Sequence, residues 1–94
     1  MGNTGSAAPL QQDPTVTPQG PQILVPEQVN VRIGPSIEYE LVGVLISGQR
    51  ATALGRSPGG DWIQIEYPGV PGNIAWVYAP FVTLETSQRL LPVV

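Results

Sequence analysis

Glycine and proline cut the chain into short pieces, and many of those pieces alternate apolar and polar residues. VNVRIGPSIEY, at 29–39, shows the pattern: Val29, Val31 and Ile33 alternate with Asn30 and Arg32, and Gly34-Pro35-Ser36 then breaks the run. A period of two residues marks a strand with one buried face. Proline cannot donate to a strand ladder and glycine permits a sharp bend, so the strand ends at that corner.

The same texture recurs downstream. WIQIEY at 62–67 is a clean alternating strand, with Ile63, Ile65 and Tyr67 on the core face and Trp62, Gln64 and Glu66 on the less buried one. QRATALG at 49–55 alternates with Ala51 and Ala53 on one face and Arg50 and Thr52 on the other. LVGVLI at 41–46, IAWVY at 74–78 and FVTL at 81–84 read as further strands, with a tight turn or one turn of 3₁₀ helix at Ala79-Pro80. SG at 47–48, SPGGD at 57–61 and PGVPGN at 68–73 are turn signals. No segment carries a helical period. Short strands separated by Gly/Pro turns about every 8–12 residues predict a small all-β barrel or sandwich. A barrel also removes exposed sheet edges.

The chain has 94 residues, which sets one domain as the expectation. Residues 1–22, rich in Gly, Pro, Gln, Ser and Thr, show no period and offer almost no large apolar side chain to offset ordering entropy. They read as a disordered or extended linker, with no charged start and apolar core of a signal peptide. MGNTGS formally fits an acylation signal, but no basic patch supports it, and the start of a linker is the better reading. Residues 23–86 are the barrel. Residues 87–94 form an apolar tail, with Leu90, Leu91, Val93 and Val94, either docked on the barrel or leading to further structure.

Charge and residue usage exclude whole function classes. Lys+Arg number 4 against Asp+Glu 7, with no Lys. There is no basic footprint for nucleic acid and no polybasic patch for anionic membranes. The longest apolar run is far too short to span a bilayer. With no Cys and no His, the chain lacks thiolate nucleophiles, Ser-His dyads and the usual zinc ligands. No metal or cofactor is expected, and no enzyme activity. Glu38 and Glu40 would share a strand face with Cβ atoms about 7 Å apart. A glycosidase pair needs burial and a cleft, so an acidic rim facing solvent is the better reading.

VNVRIGPSIEYELVGVLISGQ, GRSPGGDWIQI and AWVYAPFVTL, in that order, resemble the bacterial SH3-like (SH3b) family over about residues 27–84. The chain departs from the family pattern at Ala75, where glycine is usual, at Ala51 and Ala53, and in the longer PGVPGNIA loop. The resemblance implies a small, partly open SH3-like barrel of five to six short antiparallel strands. It also implies a non-catalytic binding or targeting module of a larger bacterial cell-envelope or secreted protein, hence an extracytoplasmic location.

Resemblance to eukaryotic SH3 domains sets the Trp62 and Trp76 strands side by side along a peptide groove, with Tyr39 and Phe81 near its ends. Exposed aromatics suit proline-rich peptides, cell-wall peptides or sugars. The expected ligand-binding residues are therefore Tyr39, Trp62, Trp76, Phe81 and Glu38, and the partner is peptidoglycan peptide or a protein segment. Glu38, Glu40 and Glu66 would favour a cationic partner. Against this stands a reading in which both Trp residues close the barrel core, more strongly for Trp76. Arg32 lies on the polar face, where Glu66 or Glu40 offers a carboxylate partner. The GPS corner reads as architecture, with a groove rim as the other reading. The alternative function is a structural or regulatory module packed against a neighbouring domain of the same protein, with no independent ligand.

Overall fold

A computed structural model describes residues 20–86 and 88–94. The acylation reading and the 1–19 part of the 1–22 linker reading lie outside the described residues, while Gln22, at the end of that linker reading, opens the first strand.

Seven strands form among the described residues: β1 (Gln22–Leu24), β2 (Val29–Arg32), β3 (Leu41–Leu45), β4 (Arg50–Arg56), β5 (Trp62–Glu66), β6 (Ile74–Tyr78) and β7 (Thr83–Leu84). They make one open antiparallel sheet in the order β3-β2-β6-β5-β4-β1-β7. Single turns of 3₁₀ helix occur at Pro71–Asn73, Ala79–Phe81 and Gln88–Leu90. This is an all-β, small SH3-like fold. Among the described residues, no helix is long and apolar enough to cross a membrane.

The strand count exceeds the sequence expectation by β1, while β7 is the end of the short strand expected at FVTL. A segment of three residues carries no readable period. Pairing makes it a strand: β1 lies against β4 through Gln22 to Thr52 and against β7 through Ile23 to Leu84.

One core cluster draws on Ile23 of β1, Val31 of β2, Leu45 of β3, Ala53 of β4, Ile63 and Ile65 of β5, and Ala75 and Val77 of β6. Strands far apart in the sheet order can share one cluster only if the sheet coils round on itself. Two bulges bend it: Val42 is extra between the Val31/Gly43 and Arg32/Leu41 pairs, and Leu54 between the Ala53/Ile65 and Gly55/Gln64 pairs. Each fully buried Ile or Val in the cluster contributes about 1.5–3 kcal/mol of hydrophobic stabilisation, an upper estimate.

The C-terminal segment lies against the β4–β5 hairpin. Leu91 joins the core cluster. The Arg56 N–H donates to Pro92 O at 2.8 Å and the Val94 N–H donates to Arg56 O at 2.9 Å. Gln88 Nε2 donates to Gly60 O at 2.7 Å. Gly55 makes room for this contact, since a Cβ there would stand 2.9 Å from Pro92 O.

Candidate functional site

The strand alternation that sends Ile63 and Ile65 inward sends Trp62 to the outer face of the sheet. Its backbone is held by the β4–β5 hairpin. Ser57 N–H donates to Trp62 O at 2.9 Å, and Trp62 N–H donates to the buried Ser57 Oγ at 3.1 Å. Gly60, at φ +78°, makes the turn between them and donates to Ser57 O at 2.8 Å.

Antiparallel register places Tyr78 directly opposite Trp62. Their ring centroids lie 5.3 Å apart at 60°, an edge-to-face contact. Phe81 follows on the 3₁₀ turn, which is anchored by Ala79 N–H donating to Asp61 O at 2.8 Å. Its ring meets Tyr78 at 5.2 Å and 73°. The result is a continuous aromatic row, Trp62–Tyr78–Phe81, drawn from β5, β6 and the turn after it. Each such contact is worth about 0.5–1.5 kcal/mol beyond the area it buries.

This row floors a groove of about 500 Å³. Asn30 and Arg32 of β2 and the preceding Gln28 line it, as do Pro35, Ser36 and Ile37 of the β2–β3 loop. A smaller cleft of about 380 Å³ carries Pro26, Glu27 and Pro80 and shares Gln28 and Phe81 with the groove. Two apolar side chains stand open to solvent at the groove: Ile37 is 73% exposed and Phe81 61%.

The β2–β3 loop is tied by its own hydrogen bonds. Ser36 N–H donates to Gly34 O at 2.9 Å, Tyr39 N–H to Ser36 O at 3.1 Å, and Ile33 N–H to Glu40 O at 2.9 Å. Ser36 Oγ accepts from Glu38 N–H at 3.1 Å. The Tyr39 ring packs over Gly34, and the Tyr39 carbonyl accepts a 3.0 Å bond from Arg32 Nη1. So the GPS corner serves both readings made from the sequence. Gly34 is architecture, while Pro35 and Ser36 line the groove.

The five expected site residues part company here. Trp62 and Phe81 line the groove together. Trp76 is on the same outer face, between Arg32 and Gln64 in register, but it is 7% exposed and does not line the groove. Tyr39 is 48% exposed and its ring is engaged with Gly34 instead. Glu38 is exposed on the loop, outside the groove lining. The expected Arg32–carboxylate pair does not form. Among the described residues the ion pair is Arg50–Glu85, and Arg32 bonds a backbone carbonyl because the loop folds back across it. Trp62, expected on the less buried face, is 9% exposed although it points away from the core cluster. Tyr78 was absent from the expected set. Its signal was present, since it shares a strand face with Trp76, but only the register shows that it meets Trp62. Among the described residues, no group of three side chains is arranged to hold a metal ion.

The family model of the bacterial SH3 domain matches residues 27–83. The chain belongs to the bacterial SH3 domain family. The match takes in every residue that lines the groove, from Gln28 to Phe81, and leaves out β1 and the C-terminal segment. This bacterial SH3 domain is also similar to YrvJ of Bacillus subtilis (strain 168), provisionally named an N-acetylmuramoyl-L-alanine amidase. The two are 31% identical over 67 residues, which is 71% of this chain and 12% of YrvJ. The chain therefore spans a small part of that relative's length. No solved structure matches the domain.

Proposed function

We propose that this bacterial SH3 domain is a non-catalytic binding and targeting module of a larger cell-envelope or secreted protein, acting outside the cytoplasm. It recognises cell-wall peptide or a peptide segment through the groove over Trp62, Tyr78 and Phe81. The observation that carries this is the aromatic row itself: three rings from three elements, locked edge to face, beneath an open apolar rim. Flat, rigid rings lose little entropy on binding and suit extended peptide chains. A relative named for cell-wall cleavage, matched over a small fraction of its length, supports a module that brings another domain to its substrate. Ser36 lines the groove, but the chain has no His or Cys to activate it or replace it.

The test is a ¹H–¹⁵N NMR titration with soluble peptidoglycan fragments and then a proline-rich peptide. A saturable shift of the Trp62 indole, with the Trp76 indole unmoved, is expected. Unchanged spectra at millimolar ligand would sink recognition of these ligand classes at the groove.

A second reading has its own support. The exposed Ile37 and Phe81 would equally suit the face of a neighbouring domain in the same protein. A longer chain that buries Phe81 without added ligand would favour it.

A further inference from the structure

We propose that the groove takes a peptide bearing a free carboxylate, anchored by the Arg32 guanidinium on its β2 wall, with the peptide's apolar residues laid along Trp62, Tyr78 and Phe81. This rests on the peptide-binding reading above and adds the chemistry of the anchor.

The charge distribution of the groove points there. Among the described residues Arg32 is the only charged one that lines it, Glu27 lining the adjoining cleft instead. Glu38 and Glu40 flank Tyr39 on the loop and face solvent, but neither lines the groove. A cationic ligand is drawn by the net charge of −3 and then meets no carboxylate in the groove lining. A carboxylate meets a guanidinium.

Arg32 is also prepared for that role. Among the described residues it has no carboxylate partner, the ion pair there being Arg50–Glu85. Among the described residues its side chain makes one hydrogen bond, from Nη1 to Tyr39 O at 3.0 Å, which fixes the head group without neutralising it. A guanidinium carries five N–H donors, so this bond leaves donors for two-point contact with a carboxylate. The loop that supplies the carbonyl is itself held by the packing of Tyr39 on Gly34. The anchor is therefore oriented before ligand arrives, which lowers the entropic cost of binding.

The experiment uses the whole chain and three probes: acetyl-Ala-Pro-Leu-Ala with a free C-terminal carboxylate, the same peptide as its C-terminal amide, and acetyl-Ala-Pro-Glu-Ala amide. Binding is read from the Trp62 indole signal in wild type, Arg32→Gln and Arg32→Lys. At least one carboxylate peptide is expected to bind about tenfold tighter than the uncharged amide, as a charge-assisted contact allows. The tighter of the two acids tells whether a terminal or a side-chain carboxylate is preferred. Arg32→Gln should abolish the preference, bringing the acids and the amide to the same affinity. Gln is two bonds shorter than the Nη1 that reaches the Tyr39 carbonyl, so an unchanged thermal midpoint checks that the fold is kept without that bond. Arg32→Lys should retain part of the preference, since an ammonium supplies charge without the fork. Equal binding of acids and amide by wild type, or a preference that survives Arg32→Gln, overturns the carboxylate anchor and leaves groove binding standing. If peptidoglycan fragments alone move the Trp62 indole, the anchor stands when Arg32→Gln weakens their binding about tenfold and is overturned when it does not. If nothing moves it, both readings fall.

Discussion

The ring of Tyr39 occupies the space that a side chain on Gly34 would need: a Cβ built at Gly34 would stand 2.4 Å from Tyr39 Cδ1. A chain of dependence follows from that contact. Gly34 admits the ring, the ring and the Tyr39 N–H to Ser36 O bond set the loop, and the loop presents the carbonyl that orients Arg32 at the groove. A residue expected to touch ligand thus acts behind the groove.

Gly34→Ala should destabilise the domain by about 1–3 kcal/mol through overpacking. Urea unfolding measures it. In a Tyr39→Ala background the same substitution should cost far less, because the ring it collides with is gone. Equal costs in both backgrounds would contradict the contact.

Ser57→Ala leaves the Trp62 N–H without the Oγ that accepts it at 3.1 Å in a buried hydrogen bond. An unmet buried donor costs about 1–3 kcal/mol. The loss should appear in thermal unfolding, and the Trp62 indole resonance should shift, because this bond holds the start of β5.

Phe81 is 61% exposed and Trp62 only 9%, so the two ends of the aromatic row should respond differently. Phe81→Ala should cost about 1 kcal/mol or less of stability, its edge contact with Tyr78, yet weaken peptide binding. Trp62→Ala should cost about 3–5 kcal/mol and threaten folding itself. Denaturation midpoints set beside peptide titrations separate the two effects.

Leu91 is buried in the core cluster, and the segment around it hydrogen-bonds to Arg56. Leu91→Ala should therefore cost about 2–5 kcal/mol, as a core truncation does. Gly55→Ala should destabilise as well, since its Cβ would meet the Pro92 carbonyl and Val94 at 2.9 Å. Neutral urea midpoints for both variants would mean that the segment is not held against the hairpin.

Much of the fold was legible in the alternation. Ile63 and Ile65 on one face of β5, and Val29 and Val31 on one face of β2, were readable as core because the strand period is two. β1 was not, being too short to show a period, and it exists as a strand through its partners, whereas β7 is the end of the strand read at FVTL. Within the site, the outward direction of Trp62 was legible, and the 3₁₀ turn that carries Phe81 was foreshadowed by Ala79-Pro80.

The sequence by itself determined which residues share a strand face and where the chain must turn, because both follow from local backbone geometry. Only the tertiary structure decided which faces meet. Trp62 and Tyr78 lie sixteen positions apart, and the β5–β6 register alone brings them opposite one another. Tyr39 was expected near the end of the groove, and the folded-back loop packs its ring on Gly34 instead. Arg32 was readable as an exposed cation in search of a carboxylate. The closing of the loop gave it a carbonyl instead and left its charge facing the groove.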